Sequence, residues 1–294
     1  MLSVVSVYLS LYMRHIEFFD IDHFENKYHR VKPPASLGHF IDFIWETDFE
    51  ELLEQHPKGF SDALFPNVGY TYLINLGTPY IMQVDEKSFN MKGDGFLPRH
   101  KAIECYHSRG NKLFGIKFNI SPVIFEKKVN FSEYRNQIYP LSYLIDKSVI
   151  TKLKSASSFD ERVDIVVKYF SNIVNKYSGS LQPISVVTEI LDRCNTKNDF
   201  AIAIEDFAKE YNISTRTLQR HFEAVTSISS KTALQIMRIR KATQHLATSP
   251  NTFHFSEYGY YDKSHFYKHL KKFLQKKTLQ SLQLHLKLLK GTSN

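Results

Sequence analysis

Apolar and polar positions change their rhythm along this chain. Between residues 69 and 118 the alternation is that of strands, and beyond residue 140 apolar residues recur every three or four positions. In the stretch 69–76, Tyr70, Tyr72 and Ile74 share one side and Thr71, Leu73 and Asn75 the other. Gly77-Thr78-Pro79 breaks that run, and further short runs follow at 80–84, 88–91, 95–97, 102–106 and 112–118. Gly93-Asp94-Gly95 and Arg109-Gly110-Asn111 supply turns between them. Short strands at this spacing predict a small barrel or sandwich. Val163, Val166, Val167, Phe170, Ile173 and Val174 then trace a single helical stripe. Ser178-Gly179-Ser180 and Pro183 mark the best boundary. After it, Ile184, Val187, Ile190 and Leu191 form one stripe and Ile204, Phe207, Ala208 and Tyr211 the next. Leu218, Phe222 and Val225 follow, then Ile236, Ile239, Ala242 and Leu246.

Length and charge sharpen that division. At 294 residues the chain suits about two domains, and 43% hydrophobic against 23% charged content is ordinary for a folded protein. The net charge of +8 is confined to one end: residues 1–180 hold 21 basic and 21 acidic side chains, residues 181–294 hold 17 and 9, and from residue 213 onward the count is 14 to 3. Such asymmetry points to one domain on a polyanion and another with a different task; a lysine-rich solvated surface is the plain alternative. Cys105 and Cys194 are too few for a disulfide framework or a four-cysteine zinc site and read as thiols in a reducing compartment. No apolar run approaches the ~20 residues that span a bilayer. The apolar stretch at 2–13 has no preceding basic residue and no small-residue cleavage site, so no signal peptide and no membrane partner are expected, and the location reads as cytoplasmic. The charged, more ordinary sequence from Arg14 makes Met13 a candidate start.

The segment 204–225 has the mechanics of two helices joined by a tight turn. Ala208 suits a close helix crossing, Asn212 suits a left-handed turn residue, and Ser214 is a good N-cap. Leu218 and Phe222 would turn the second helix inward, leaving Thr215, Arg216, Gln219 and Arg220 outside. Arginine and glutamine there can make paired hydrogen bonds to guanine and adenine edges in a major groove. Gly259 and Asp262 open a second such unit that would expose Lys263, His265 and Lys268 while burying Phe266 and Leu270. A helix at about 231–247, roughly 25 Å long at 1.5 Å per residue, would join the two reading heads.

Three pieces, STRTLQRHF at 214–222, RIRKATQHL at 238–246 and GYYDKSHF at 259–266, resemble the DNA-binding domain of AraC-type transcriptional regulators. PPASLGHFIDFIW at 33–45, FPNVGYTYLINLG at 65–77 and FGIKFNISPVIF at 114–125 resemble the sensor domain of a subgroup of them. The resemblance implies an α+β protein. It would have a cupin-like N-terminal small β-barrel for regulation at 1–140, a helical linker or dimerisation segment at 141–180, and an all-α tandem helix-turn-helix domain at 181–294. It also implies control of a bacterial promoter, with double-stranded DNA and RNA polymerase as partners, and leaves room for a small-molecule effector and a homodimer. Thr215, Arg216, Gln219 and Arg220 would face one groove segment and Lys263, His265 and Lys268 the next. Arg238, Arg240 and the lysines at 271, 272, 276 and 277 are placed as phosphate or solvent charges. The chain departs from the family pattern at His254 and Phe255, where Ile-Ala is usual, in a connection about two residues short, and at Lys276-Lys277-Thr278, where Gly-x-x-Pro usually closes the domain. Phe255 at a close crossing implies repacking.

Other chemistry is weighed against plainer roles. His100, Glu104, Cys105 and His107 lack the His-x-His spacing that lets inward positions of one strand share an ion, so neither a metal site nor a cofactor is expected. Cys105 reads as a small buried side chain. Gly93-x-Gly95 is a turn, and no nucleophile-elbow, phosphate-loop or zinc-protease pattern appears, so an enzyme is not expected. The aromatics crowding 70–118 read as core, with an apolar ligand pocket as the sharper alternative. Two rival readings remain: a ligand-binding or enzymatic barrel whose degenerate basic domain binds DNA non-specifically or a protein partner, and an adaptor working through the leucine-rich tail.

Overall fold

The computed structural model describes residues 17–18, 23, 26–57, 60–125, 137–200, 202–249 and 251–273. Met13 with the apolar stretch before it, Lys276, Lys277, Thr278 and the leucine-rich tail lie outside the described residues. The N-terminal part contributes strands β1 (Glu17–Phe18), β2 (His29–Val31), β3 (Ile41–Asp48), β4 (Phe60–Leu64), β5 (Tyr70–Asn75) and β6 (Tyr80–Val84). They are followed by β7 (Lys87–Met91), β8 (Gly95–Pro98), β9 (Ile103–His107), β10 (Lys112–Phe118) and β11 (Tyr139–Pro140). A short helix, α1 (Glu50–Gln55), interrupts them. All pairings are antiparallel, in two sheets ordered β1-β4-β9-β6-β7 and β11-β8-β5-β10-β3-β2. The expected small barrel is therefore corrected: among the described residues no pairing joins the two sheets into a closed one.

The six-stranded sheet is covered on both faces, which explains why every residue of β5 is buried despite its alternation. Phe43, Trp45, Leu73, Leu97 and Leu113 face Tyr80, Met82, Val84, Ile103 and Cys105 of the five-stranded sheet in one core. Tyr72, Ile74, Phe96, Phe114 and Phe118 belong to a second core that reaches Val166 and Phe170 of α3 (Phe159–Lys176). Gly115 is required where β10 passes under a ring: a Cβ there would lie 2.2 Å from Trp45 Cε2.

Helices follow from residue 147: α2 (Lys147–Ser155), α3, α4 (Gln182–Lys197), α5 (Ile204–Glu210), α6 (Thr215–Thr226), α7 (Ser230–Thr248) and α8 (Lys263–Phe273). Pro183 stands in the first turn of α4, where its missing N–H costs nothing. The chain is thus mixed α+β, with a sheet unit first and a helical unit after it. No helix among the described residues is long and apolar enough to cross a membrane.

The sheet unit and α3 are tied by a buried ion pair. Arg162 NH1 donates to Glu46 Oε2 at 3.0 Å, while its Nε and NH2 donate to the carbonyls of Leu153 and Ala156 at 3.0 and 2.6 Å. Lys112 holds the other Glu46 oxygen at 3.0 Å from a more exposed position. Removing one member of a buried pair strands the other, at a cost of about 3–5 kcal/mol. Arg162→Ala should lose about 3 kcal/mol in urea denaturation, at the low end of that range because Lys112 remains.

Candidate nucleic-acid interface

Three local features build the corner between α5 and α6. Asn212 sits in the left-handed region at φ 53°. This lets the chain reverse so that the Ile213 amide donates back to the Ala208 carbonyl at 3.0 Å. Ser214 caps α6, its hydroxyl accepting from the Thr217 amide at 3.1 Å. Ala208, Leu218 and Phe222 are buried in the seam as expected. From α4, Arg193 donates to Asp199 and Glu210 at 3.2 and 2.6 Å and lies 5.2 Å from the centre of the Phe207 ring, bracing α5.

The outer face of α6 carries exposed Thr215, Arg216 and Arg220. Gln219 differs from expectation, being half-buried with both ends of its amide engaged. Nε2 donates to Glu223 at 2.9 Å, and Oε1 accepts from the Ser230 hydroxyl at 2.8 Å. A side chain so held locks α6 to the start of α7. Burial, then the charge of Arg220, pushes the His221 pKa down.

Residues 207–277 match the family model of a helix-turn-helix domain. The chain carries a DNA-binding domain of the AraC type. It is a DNA-binding transcriptional regulator. No curated protein matches the chain. Among solved structures, ToxT from Vibrio cholerae is similar at 11% identity over 85% of this chain and 95% of that one, with a TM-score of 0.39. ToxT bound to an unsaturated fatty acid gives 11% identity, coverage of 85% and 92%, and a TM-score of 0.39. The AraC-like transcriptional activator CuxR gives 12%, coverage of 75% and 88%, and 0.33. Likenesses this slight leave the chain's own residues to carry the reading.

The second half of the AraC-type domain forms differently from the first. Gly259 has φ 67°, and Asp262 accepts from the His265 amide at 2.7 Å, capping α8. Phe266 and Leu270 are buried while Lys263, His265 and Lys268 are exposed. The element before the turn, however, is one turn of 3-10 helix, Phe255–Tyr258. Phe255 is half-buried there, its ring 4.9 Å from Phe253 and 5.3 Å from Phe266, centre to centre. An aromatic cluster fills the space that a close helix crossing would occupy. Tyr261, passed over in the sequence reading, is 94% exposed beside the α8 N-terminus. Its neighbour Tyr260 is buried, and the alternation in Tyr260-Tyr261 was the available signal.

Two arginines placed as phosphate or solvent charges are instead engaged within the protein. Arg238 lies 4.8 Å from the centre of the Tyr260 ring and donates to the Gly259 carbonyl at 3.5 Å. Arg240 NH1 donates to the Phe65 and Pro66 carbonyls, each at 3.4 Å, joining α7 to the sheet unit. The seam continues where the Ser121 amide donates to the Val225 carbonyl at 2.7 Å and the Tyr70 hydroxyl donates to the Thr226 carbonyl at 3.4 Å. A cleft of about 600 Å³ opens beside it, with Lys32, His39 and Asn67 on one wall and Asp192, Arg240 and Lys241 on the other. Burial pushes the Lys241 pKa down.

The sequence reading also missed a grouping inside the sheet unit. Asp62 on β4 stands directly across from Cys105 on β9, with His107 two residues on. Their ligating atoms lie within 4.8 Å of one another. The alternate spacing Cys105-x-His107 was the sequence signal, but Asp62 is a partner 45 residues from His107.

Two measurements check this geometry. Ser214→Ala should cost about 1 kcal/mol in denaturant unfolding, as loss of an N-cap does. His269, on α8, shares a 2.6 Å hydrogen bond with the Tyr260 hydroxyl through its Nδ1. Burial, then Arg238, Lys272 and His265, bring its pKa down to about 4. An unfolded histidine titrates near 6.5, so this stabilisation is whole above that pH and is lost as pH falls toward 4. The melting temperature should therefore drop between pH 6.5 and 4. The drop should shrink in His269→Gln, which keeps an acceptor for Tyr260.

Proposed function

We propose that this regulator reads duplex DNA by sequence through α6 and grips it less selectively through α8. The observation that carries the reading is the α5–α6 corner: a left-handed Asn212, a capping Ser214, and Arg216 and Arg220 exposed one turn apart. Thr215, Arg216 and Arg220 face base edges, while Gln219 fixes the angle of the helix that presents them. Lys263, His265 and Lys268 face the neighbouring groove segment, with Tyr261 beside them. Lys271 and Lys272 extend the basic surface toward phosphates. The repacked Phe255 turn favours phosphate contacts for this half, since those tolerate looser placement than base edges.

The division of labour follows the boundaries 1–140, 141–180 and 181–294, with the two-sheet unit as the regulatory domain. An effector held in the cleft beside Arg240 would touch both units and could alter how the helical unit sits. RNA polymerase is the partner suited to a promoter-bound regulator, a homodimer through the helical segment would pair two reading units, and the protein acts as a regulator rather than an enzyme. Its place is the cytoplasm.

The test compares two variants of the full chain on a selected site and on mixed fragments across ~50–200 mM salt. Wild-type affinity should fall steeply with salt. Arg220→Ala should cost about 1–3 kcal/mol on the preferred site and relax its base preference. Lys268→Ala should weaken all sequences alike and make the salt slope shallower by about one. Equal changes of sequence preference in both variants would show that α8 reads bases too.

A further inference from the structure

Deep between the two sheets, three chemically distinct metal-binding groups meet. Asp62, Cys105 and His107 are each buried, and they line a cavity of about 40 Å³ that also borders Met82. The strand register explains the meeting: Asp62 and Cys105 are Cα partners across β4 and β9, and His107 follows on the same inner face. The His107 ring is held flat against Phe49, centres 3.6 Å apart, so its two nitrogens point in fixed directions.

The protons on those nitrogens can be assigned from their neighbours. Asn111 is buried, and its Nδ2 donates to the Thr78 carbonyl at 3.1 Å, which fixes the amide orientation. Its Oδ1 therefore faces His107 Nδ1 at 2.7 Å, and that nitrogen must carry the hydrogen. In the neutral ring, Nε2 is then a bare lone pair. Yet Nε2 lies 3.1 Å from Asp62 Oδ1, itself an acceptor. Two acceptors at that distance need a proton or a metal ion between or beside them. The arrangement is also the usual outer support of a metal-bound histidine, in which the distal N–H is anchored to an oxygen.

A second observation lies against His107. Tyr80 is 2% exposed, and its hydroxyl has no hydrogen-bond partner among the described residues. Its ring stacks on His107 at 5.7 Å. A buried hydroxyl left unsatisfied on a tyrosine stacked against the His107 imidazole is a polar group with room for a ligand contact.

We propose that Asp62, Cys105 and His107 bind a single divalent transition-metal ion of the zinc class. Thiolate, imidazole and carboxylate together select such an ion over calcium or magnesium. Bond lengths of about 2.0–2.3 Å set tetrahedral donors roughly 3.3–3.6 Å apart, so the Asp62–His107 pair is within about 0.2 Å of that spacing and the Cys105 sulfur needs to close by about 1.2 Å at most. The carboxylate and thiolate neutralise the ion, which matters because Arg99 and Lys117 line the facing wall of the cavity. The fourth position opens into the cavity, for a water molecule. β4 carries the consequence outward: Asp62 is followed by Ala63 and Phe65, which pack against Ile239, Ala242 and Phe266 of the helical unit.

The experiment uses the metal-free full chain and cobalt(II) as the probe. One ion per chain should bind and give a thiolate-to-cobalt charge-transfer band that zinc(II) abolishes. The band should persist in Cys194→Ser and vanish in Cys105→Ser. Asp62→Asn and Asn111→Ser should each weaken binding at least tenfold. Absence of the band in the wild type would leave the His107–Asp62 pair held by a proton and overturn the proposal. So would a band that survives in Cys105→Ser, or undiminished affinity in Asp62→Asn. If Cys105→Ser fails to fold, the wild-type and Cys194→Ser spectra decide, because these are the chain's two cysteines.

Discussion

The last turn of α6 ends on the sheet unit rather than in water. A helix leaves its final carbonyls without intrahelical donors. Here the Val225 carbonyl takes the Ser121 amide and the Thr226 carbonyl takes the Tyr70 hydroxyl. Thr226 and Ser227 are buried at this junction, and Ser227 turns the chain through the left-handed region at φ 61°. The direction of α6 is thus set partly by groups more than a hundred residues earlier in the chain. Core packing repeats the message, since one apolar cluster runs without a break from Phe118 to Phe222. Any change that shifts β5 or the turn after β10 bears directly on α6.

The parts legible in the sequence were those governed by local chemistry. Asn212, Ser214, Gly259 and Asp262 each act within about four residues of themselves, and each does what its residue type suggests. The strands after residue 69 were legible because Gly and Pro punctuate them. β3 was not, because the burial of seven of its eight residues, fully or in part, erases the alternation that marks a half-buried strand. The barrel expectation failed for a related reason, since strand runs reveal pairing but not whether the edges meet.

Tertiary contacts account for the remaining differences. Arg238 and Arg240 look like surface charges in the sequence, and only the docking of α7 against Tyr260 and Phe65 draws them inward. Gln219 looks like a base reader until α7 brings Ser230 against it. Asp62 looks like an ordinary strand carboxylate until β4 pairs with β9. In each case the deciding partner is distant in sequence or lies on another element, where periodicity has nothing to say.

If α6 is the helix that reads DNA, the locked amide of Gln219 also limits how much sequence information it can extract. Two guanidinium forks four residues apart are separated by about 6 Å along the axis, a span of roughly two base-pair steps. With the amide between them turned inward, the vocabulary of that face narrows to what arginine prefers, the O6 and N7 edge of guanine. The protein's preferred DNA would then hold a short guanine-bearing core inside a longer stretch of nearly indifferent bases. Much of the selectivity would have to come from how many such cores are presented at the right spacing rather than from any one of them.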